Sequence, residues 1–212
     1  MAVPVLLIID SLFTLPILLG VLAALVLKRS STLRQRLNTV GLVLSLAYLV
    51  WAFSAAEFVE RRVTEKLARQ GVSYSQFISS PAPFNTLLWR VVGIDKDRYF
   101  ETYFSLFDRA APLFVDFYPR NLALMAGIED HPPIVKLKRF TSGYYAFSTV
   151  GEYVAMTDLR MGSEPDYVFR FKVARLNDSH PTPIADERLK TTRDWRGLAW
   201  VWARIWNSIP QT

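Results

Sequence analysis

The sequence predicts a membrane-anchored α+β protein: two N-terminal transmembrane helices, then an antiparallel β-rich domain, then a C-terminal amphipathic helix. Three observations carry this expectation. Apolar residues crowd the first third of a 212-residue chain. The middle of the chain alternates with a period of two, and its last twenty residues repeat apolar positions at helical spacing.

Residues 3–27, VPVLLIIDSLFTLPILLGVLAALVL, hold one ionisable group, Asp10. As a helix they reach about 37 Å, enough for a hydrocarbon core of about 30 Å. Residues 37–56, LNTVGLVLSLAYLVWAFSAA, hold no charge. Neither segment has the polar stripe of a soluble surface helix. A cleaved signal peptide is disfavoured, because no basic segment precedes the apolar run and Lys28-Arg29 ends it. Between the two segments, KRSSTLRQR is basic without an acid, which places it in the cytoplasm and the C-terminal domain outside. Pro16 is expected to strain the first helix against the carbonyl of Leu12.

Residues 57–70, EFVERRVTEKLARQ, continue the second span as a juxtamembrane helix, with Glu57 and Arg61 one turn apart and Gly71 as its stop. The two prolines of SSPAPF, residues 79–84, open the next domain. Strands are expected over 84–94 and 98–107, turning at Asp95-Lys96-Asp97. Further strands are expected over 134–140, where Val135 and Leu137 alternate with lysines, over 143–149 and 152–158 about Val150-Gly151, and over 166–175. A short helix fits near Arg120–Met125. At least five short strands joined by tight turns imply an antiparallel sheet or small barrel.

Residues 177–190, with Pro181 and Pro183, read as a surface loop. The following DWRGLAWVWARIWNSI sets Trp195, Leu198, Ala199, Trp202, Ile205, Trp206 and Ile209 on one helical stripe, with Asp194 as N-cap and Trp200 off the stripe. Two uses of this helix stand open: covering its own sheet, or lying at the bilayer interface with Trp195, Trp202 and Trp206 among the headgroups. The expected organisation is thus a two-helix transmembrane region over 1–56, a juxtamembrane helix and linker over 57–78, a β-rich domain over 79–176, and a loop with a Trp-rich helix over 177–212.

Composition narrows the chemistry. There are 25 Lys and Arg against 19 Asp and Glu, two histidines and no cysteine. Disulfides, thiolate nucleophiles and cysteine-ligated metals are excluded, as is a three-histidine site within the chain. Eight basic and four acidic residues precede Val72, leaving 25 − 8 = 17 basic and 19 − 4 = 15 acidic after it. A domain so nearly balanced is a poor nucleic-acid binder, and no nucleic-acid partner is expected. His131 and His180 lie in proline-flanked loops without metal-ligand spacing and read as solvated. The acid pairs Glu129-Asp130 and Glu164/Asp166 would need raised pKa values for acid–base work. No nucleophile elbow, phosphate loop or dinucleotide fingerprint is present. Asp10 stands out as an ionisable group in an apolar span, as interfacial cap or as ligand.

Five strings in order, IDSLFTLPILLG (9–20), SSPAPFNTLLWRVVGIDKDRYFETYFSLFD (79–108), TDLRMG (157–162), YVFRFKVAR (167–175) and DWRGLAWVWARIW (194–206), together resemble the C-terminal half of the bacterial membrane-bound metal-dependent hydrolase family, its LexA-regulated type included. The resemblance covers essentially the whole chain. It implies a multi-pass inner-membrane protein whose proposed metal site lies in a preceding membrane half, with Asp10 the one residue here that adjoins it. Asp10 is accordingly the catalytic and metal candidate. No cofactor is expected in this chain alone, and a divalent metal enters only through the resemblance. On this resemblance the chain would be a shortened homologue, or one whose metal-binding half is separately encoded or lost to start-site choice. Hydrolysis would need that half. The alternative is a non-catalytic, membrane-tethered β domain that binds a protein, peptide or envelope component. The expected partners are the lipid bilayer and either the separate half or an envelope protein.

Overall fold

The computed structural model describes residues 11–28, 31–108, 112–177, 180–189 and 197–207. Two helices open it, α1 (Ser11–Val26) and α2 (Thr32–Arg69). They pack through small residues. A Cβ on Gly41 would meet the Pro16 carbonyl oxygen at 2.4 Å, and one on Gly20 would lie 3.2 Å from the Asn38 Cα. Ser45 Oγ donates to the Phe13 carbonyl at 3.0 Å. Gly and Ser at these positions let the two helix backbones approach closely. α1 stays helical through Pro16.

α2 is one unbroken helix of 38 residues with two kinds of surface. Its first half exposes Leu37, Val40, Val43, Leu46, Val50 and Phe53. Its second half buries Val59, Val63 and Leu67 against a sheet. It is the one described helix long and apolar enough to cross a membrane. The helix ends as the sequence predicts: Gly71 has φ +67°, and the Val72 and Gly71 N–H groups return to the carbonyls of Leu67 and Ala68.

The remainder is α+β with two antiparallel sheets. The first has the order β1 (Gln76–Pro81), β2 (Leu88–Asp95), β3 (Arg98–Ser105), β4 (Val115–Pro119). The second has β5 (Tyr145–Val150), β6 (Tyr153–Asp158), β7 (Phe169–Asn177), β8 (His180–Arg188). A 3-10 turn, Leu122–Met125, and α3 (Pro132–Thr141) join them, and α4 (Gly197–Trp206) follows. The β2–β3 hairpin lies where the sequence puts it, with Lys96 at φ +36°.

β2 and β3 are covered on both faces, so nearly every residue in them is buried. Trp89, Val91, Phe100 and Phe104 face α2. Gly93 is required on that face, because the Phe100 ring occupies the space a Cβ would take. Val92, Ile94 and Tyr99 face the other way, onto Tyr144, Ala146, Leu159 and Tyr167. Ile128, Ile134 and Leu137 cap the second sheet over Phe147, Val154, Met156 and Val173.

Three sequence expectations are corrected. Residues 134–140 are helical, within α3: Ile134, Leu137 and Thr141 are its buried residues, while Val135 is exposed. The lysine alternation is therefore incidental, and Pro132-Pro133 at the start with left-handed Ser142 at the end mark a helix. Residues 177–190 are largely strand β8 rather than loop. β8 is an edge strand, the place in a sheet where prolines such as Pro181 and Pro183 are tolerated. The stretch 84–87 is a turn rather than the start of β2, with Phe84 at φ +63° and Asn85 Oδ1 accepting from the Leu87 and Leu88 N–H groups.

Candidate functional site

The densest polar cluster among the described residues lies on the face of the first sheet opposite α2. Arg90 on β2 and Glu101 on β3 are diagonal neighbours there, since Arg90 stands opposite Tyr103 and Glu101 opposite Val92. The Arg90 Nη2 pairs with Glu101 Oε1, and its Nε lies 3.3 Å from Oε2. Arg90 Nη1 donates to the Leu159 carbonyl at 3.0 Å, and the Tyr167 hydroxyl donates to Glu101 Oε1. The guanidinium also stands over the Tyr167 ring, 5.6 Å from its centre. At the rim, Tyr99 donates to Glu164 Oε2 at 3.0 Å and stacks on Tyr118.

Local sequence explains the placement. Strand alternation brings Arg90 and Glu101 to one face, and the loop from Leu159 to Tyr167 closes over them. That loop turns at Gly162, φ +103°, where a Cβ would lie 2.6 Å from the Asp166 carbonyl oxygen. Asp158 binds Arg160 at its base, Nη2 to Oδ2 2.7 Å, and the Arg160 guanidinium covers the Phe140 ring. TDLRMG is thus a loop-closing string.

The electrostatics are those of a closed pair. Burial alone disfavours the Arg90 cation, but Glu101, Tyr103 and Tyr167 more than offset it, so its pKa rises. Burial, reinforced by Glu101, drives the Tyr167 hydroxyl far up, and burial raises Tyr99 and Tyr103 as well. Both Glu101 oxygens are engaged by donors, and the phenols are held neutral. A general base or nucleophile needs a lone pair aimed at a substrate. This cluster aims its lone pairs inward and ties two layers of the protein together.

A second buried pair fixes α4. Arg204 Nη1 and Nη2 lie 2.9 and 2.7 Å from Asp108 Oδ1 and Oδ2, and Nη2 also donates to the Tyr103 carbonyl at 2.8 Å. Ser105 Oγ donates to the Ile205 carbonyl at 2.6 Å. The buried face of α4 is therefore Val201, Arg204 and Ile205, over Ala82 and Leu88. This corrects the stripe read from the sequence. Trp202 and Trp206 face outward, whereas Trp200, expected off the stripe, packs edge-on against Tyr103 with ring centres 4.8 Å apart.

A third contact mounts the domain on α2. Trp51 Nε1 donates to Thr86 Oγ1 at 3.1 Å, Tyr48 shares that hydroxyl at 3.3 Å, and Trp89 Nε1 donates to the Thr86 carbonyl at 2.9 Å. SSPAPFNTLLWR is thus the string that carries the docking turn.

The other candidates disperse. Asp10, Trp195 and Asp194 lie outside the described residues, as does the side chain of His180. His131 stands at the N-cap position of α3 without a side-chain cap hydrogen bond; its Nε2 lies 3.1 Å from the Ile184 carbonyl oxygen, and it is half-buried rather than fully solvated. Glu129, Asp130 and Asp166 are exposed. Among the described residues no three of His, Asp or Glu gather as a metal site. The carboxylates best placed by burial, Glu101, Asp108 and Asp158, are each committed to an arginine. The described donors therefore do not fit a hydrolytic metal.

The buried pairs escape sequence reading because their partners are 11 and 96 residues apart. The one available signal is a charge inside an otherwise apolar strand, as at Arg90 in LLWRVV. Comparison with protein-family models, curated proteins and solved structures gives no match to this chain.

Proposed function

We propose that this chain is a multi-pass protein of the bacterial inner membrane, in which α1 and α2 cross the bilayer as a hairpin and hold a non-catalytic α+β domain at its surface. There the domain binds a protein, peptide or envelope component. The observation that carries the reading is the division of α2. One continuous helix presents bare leucine, valine and phenylalanine along its first half and forms the core of a folded domain with its second. In water such a surface would drive aggregation, and in lipid it is the required one. The small-residue seam at Gly20, Gly41 and Ser45 supports α1 as the companion span.

This arrangement is a rigid mount rather than a flexible tether, because no linker intervenes between span and domain core. The basic residues Lys28, Arg34 and Arg36 at the hairpin's turn orient it with the turn in the cytoplasm and the domain outside. Hydrolysis, which the family resemblance implies, would need ligands from outside the described residues.

The chain has no cysteine, so single introduced cysteines report topology directly. The membrane fraction should retain the protein through alkaline carbonate extraction. Val135→Cys should react with an impermeant maleimide in cells whose outer membrane alone is permeabilised, and Ser31→Cys only after lysis. Release of the protein into the supernatant overturns the proposal. Stoichiometric zinc or manganese on the purified chain overturns its non-catalytic part.

A further inference from the structure

We infer that Phe107, Trp202 and Trp206 form a second membrane contact, an aromatic foot that rests in the headgroup region of the same bilayer α2 crosses. The three side chains are 50%, 50% and 64% exposed, far more than large aromatics on a settled surface need be. Phe107 and Trp206 stack with ring centres 4.9 Å apart and planes 20° apart. Trp202 lies one helical turn before Trp206 on the same face. The foot is rigid, because Arg204 on the opposite face is held by Asp108, and the Ile205 carbonyl accepts from Ser105 Oγ.

The direction of β3 says what covers it. Phe100, early in β3, packs against Tyr74, just past the end of α2. Phe104 packs against Phe58, about three turns back from the end of that helix. β3 therefore descends toward the apolar half of α2, and Phe107 lies three residues beyond Phe104 at its lower end. The neighbouring docking turn confirms the level: Thr86 meets Tyr48 and Trp51, aromatic residues on the apolar half of α2 itself. Tryptophan and tyrosine gather at the headgroup level because an amphipathic ring suits it. The occupant inferred is thus the bilayer interface, continuous with the surface around the span. The inference rests on the reading of α2 as membrane-crossing.

Spin labels test it. Since the chain lacks cysteine, Trp206→Cys, Trp202→Cys and Phe107→Cys each give one labelled site at an exposed position. Leu46→Cys reports the span. Val135→Cys reports the far end, because α3 leads to Ser142, whose carbonyl meets Gln76 at the opposite end of the first sheet. The full chain is reconstituted in phosphatidylethanolamine–phosphatidylglycerol vesicles, and accessibility to oxygen and to a water-soluble nickel complex is compared. The oxygen-to-nickel ratio at positions 107, 202 and 206 should fall between that at 46 and that at 135, below the span and above the far end, as a headgroup depth requires. A ratio at 206 equal to that at 135, with 46 lipid-exposed, overturns the foot alone. A water-exposed label at 46 overturns the membrane reading beneath it. Shielding of 206 from both reagents would put a second copy there and also overturns the foot.

Discussion

Arg204 and Asp108 form a two-pronged ion pair with side chains 3% and 8% exposed, and this single contact across 96 residues of sequence decides which face of α4 is buried. Six of the ten residues of α4 are aromatic or branched, and its tryptophans fall on more than one side, so the apolar residues do not mark one face by themselves. The pair decides it, since a desolvated guanidinium must find its carboxylate.

Removing one partner should therefore cost more than removing both. Arg204→Leu leaves Asp108 beside the α4 interface without its cation and should destabilise the detergent-solubilised protein by about 3 kcal/mol. Arg204→Leu with Asp108→Asn should recover part of that. Thermal unfolding of the two variants measures the difference, and equal losses would deny the coupling.

Glu101→Gln tests the cluster on β2 and β3 in the same way. It strips the counter-charge from buried Arg90 and weakens the acceptor of the Tyr167 hydroxyl, with an expected loss of about 3–5 kcal/mol. Arg90→Met with Glu101→Leu, which fills the space without charge, should be the more stable protein. Urea unfolding of the full chain in detergent is the measurement.

Gly41→Ala carries a sign that discriminates. In an exposed helix the change adds about 0.5–1 kcal/mol of stability. Here the new Cβ would lie 2.4 Å from the Pro16 carbonyl oxygen, so α1 and α2 must separate and stability should fall. A rise in the thermal midpoint would mean that the two helices do not meet at Gly41.

Alkaline pH should unfold the domain in the same step in which its buried tyrosines titrate. Burial pushes Tyr144 up to about 12 and raises Tyr99, Tyr103 and Tyr167 too. A tyrosine whose folded pKa is raised contributes stability that is intact below its unfolded pKa of about 10 and is lost as pH climbs above it. Stability should thus be flat below about pH 10 on this account and fall toward pH 12. Absorbance at 295 nm should show exposed tyrosines titrating first and the buried ones in a step that coincides with loss of the circular dichroism signal.

The sequence by itself determined whatever depends on near neighbours. The uncharged run over 37–56, the helical continuation to Gly71, the Asp95–Asp97 hairpin and the Val150–Gly151 turn are all local, because periodicity, charge-free length and turn chemistry are properties of a few adjacent residues. Only the tertiary structure decided what depends on distant partners. α3 is a helix because Ile134, Leu137 and Thr141 share a buried face, which the lysine alternation hides. β8 is a strand because β7 supplies its ladder and tolerates its prolines at the edge. Arg90 and Arg204, polar in the sequence, are interior because Glu101 and Asp108 meet them there. The physical reason is common to all of these. Burying a polar group or an edge is unfavourable until its partner arrives, and the partner's position is a property of the fold.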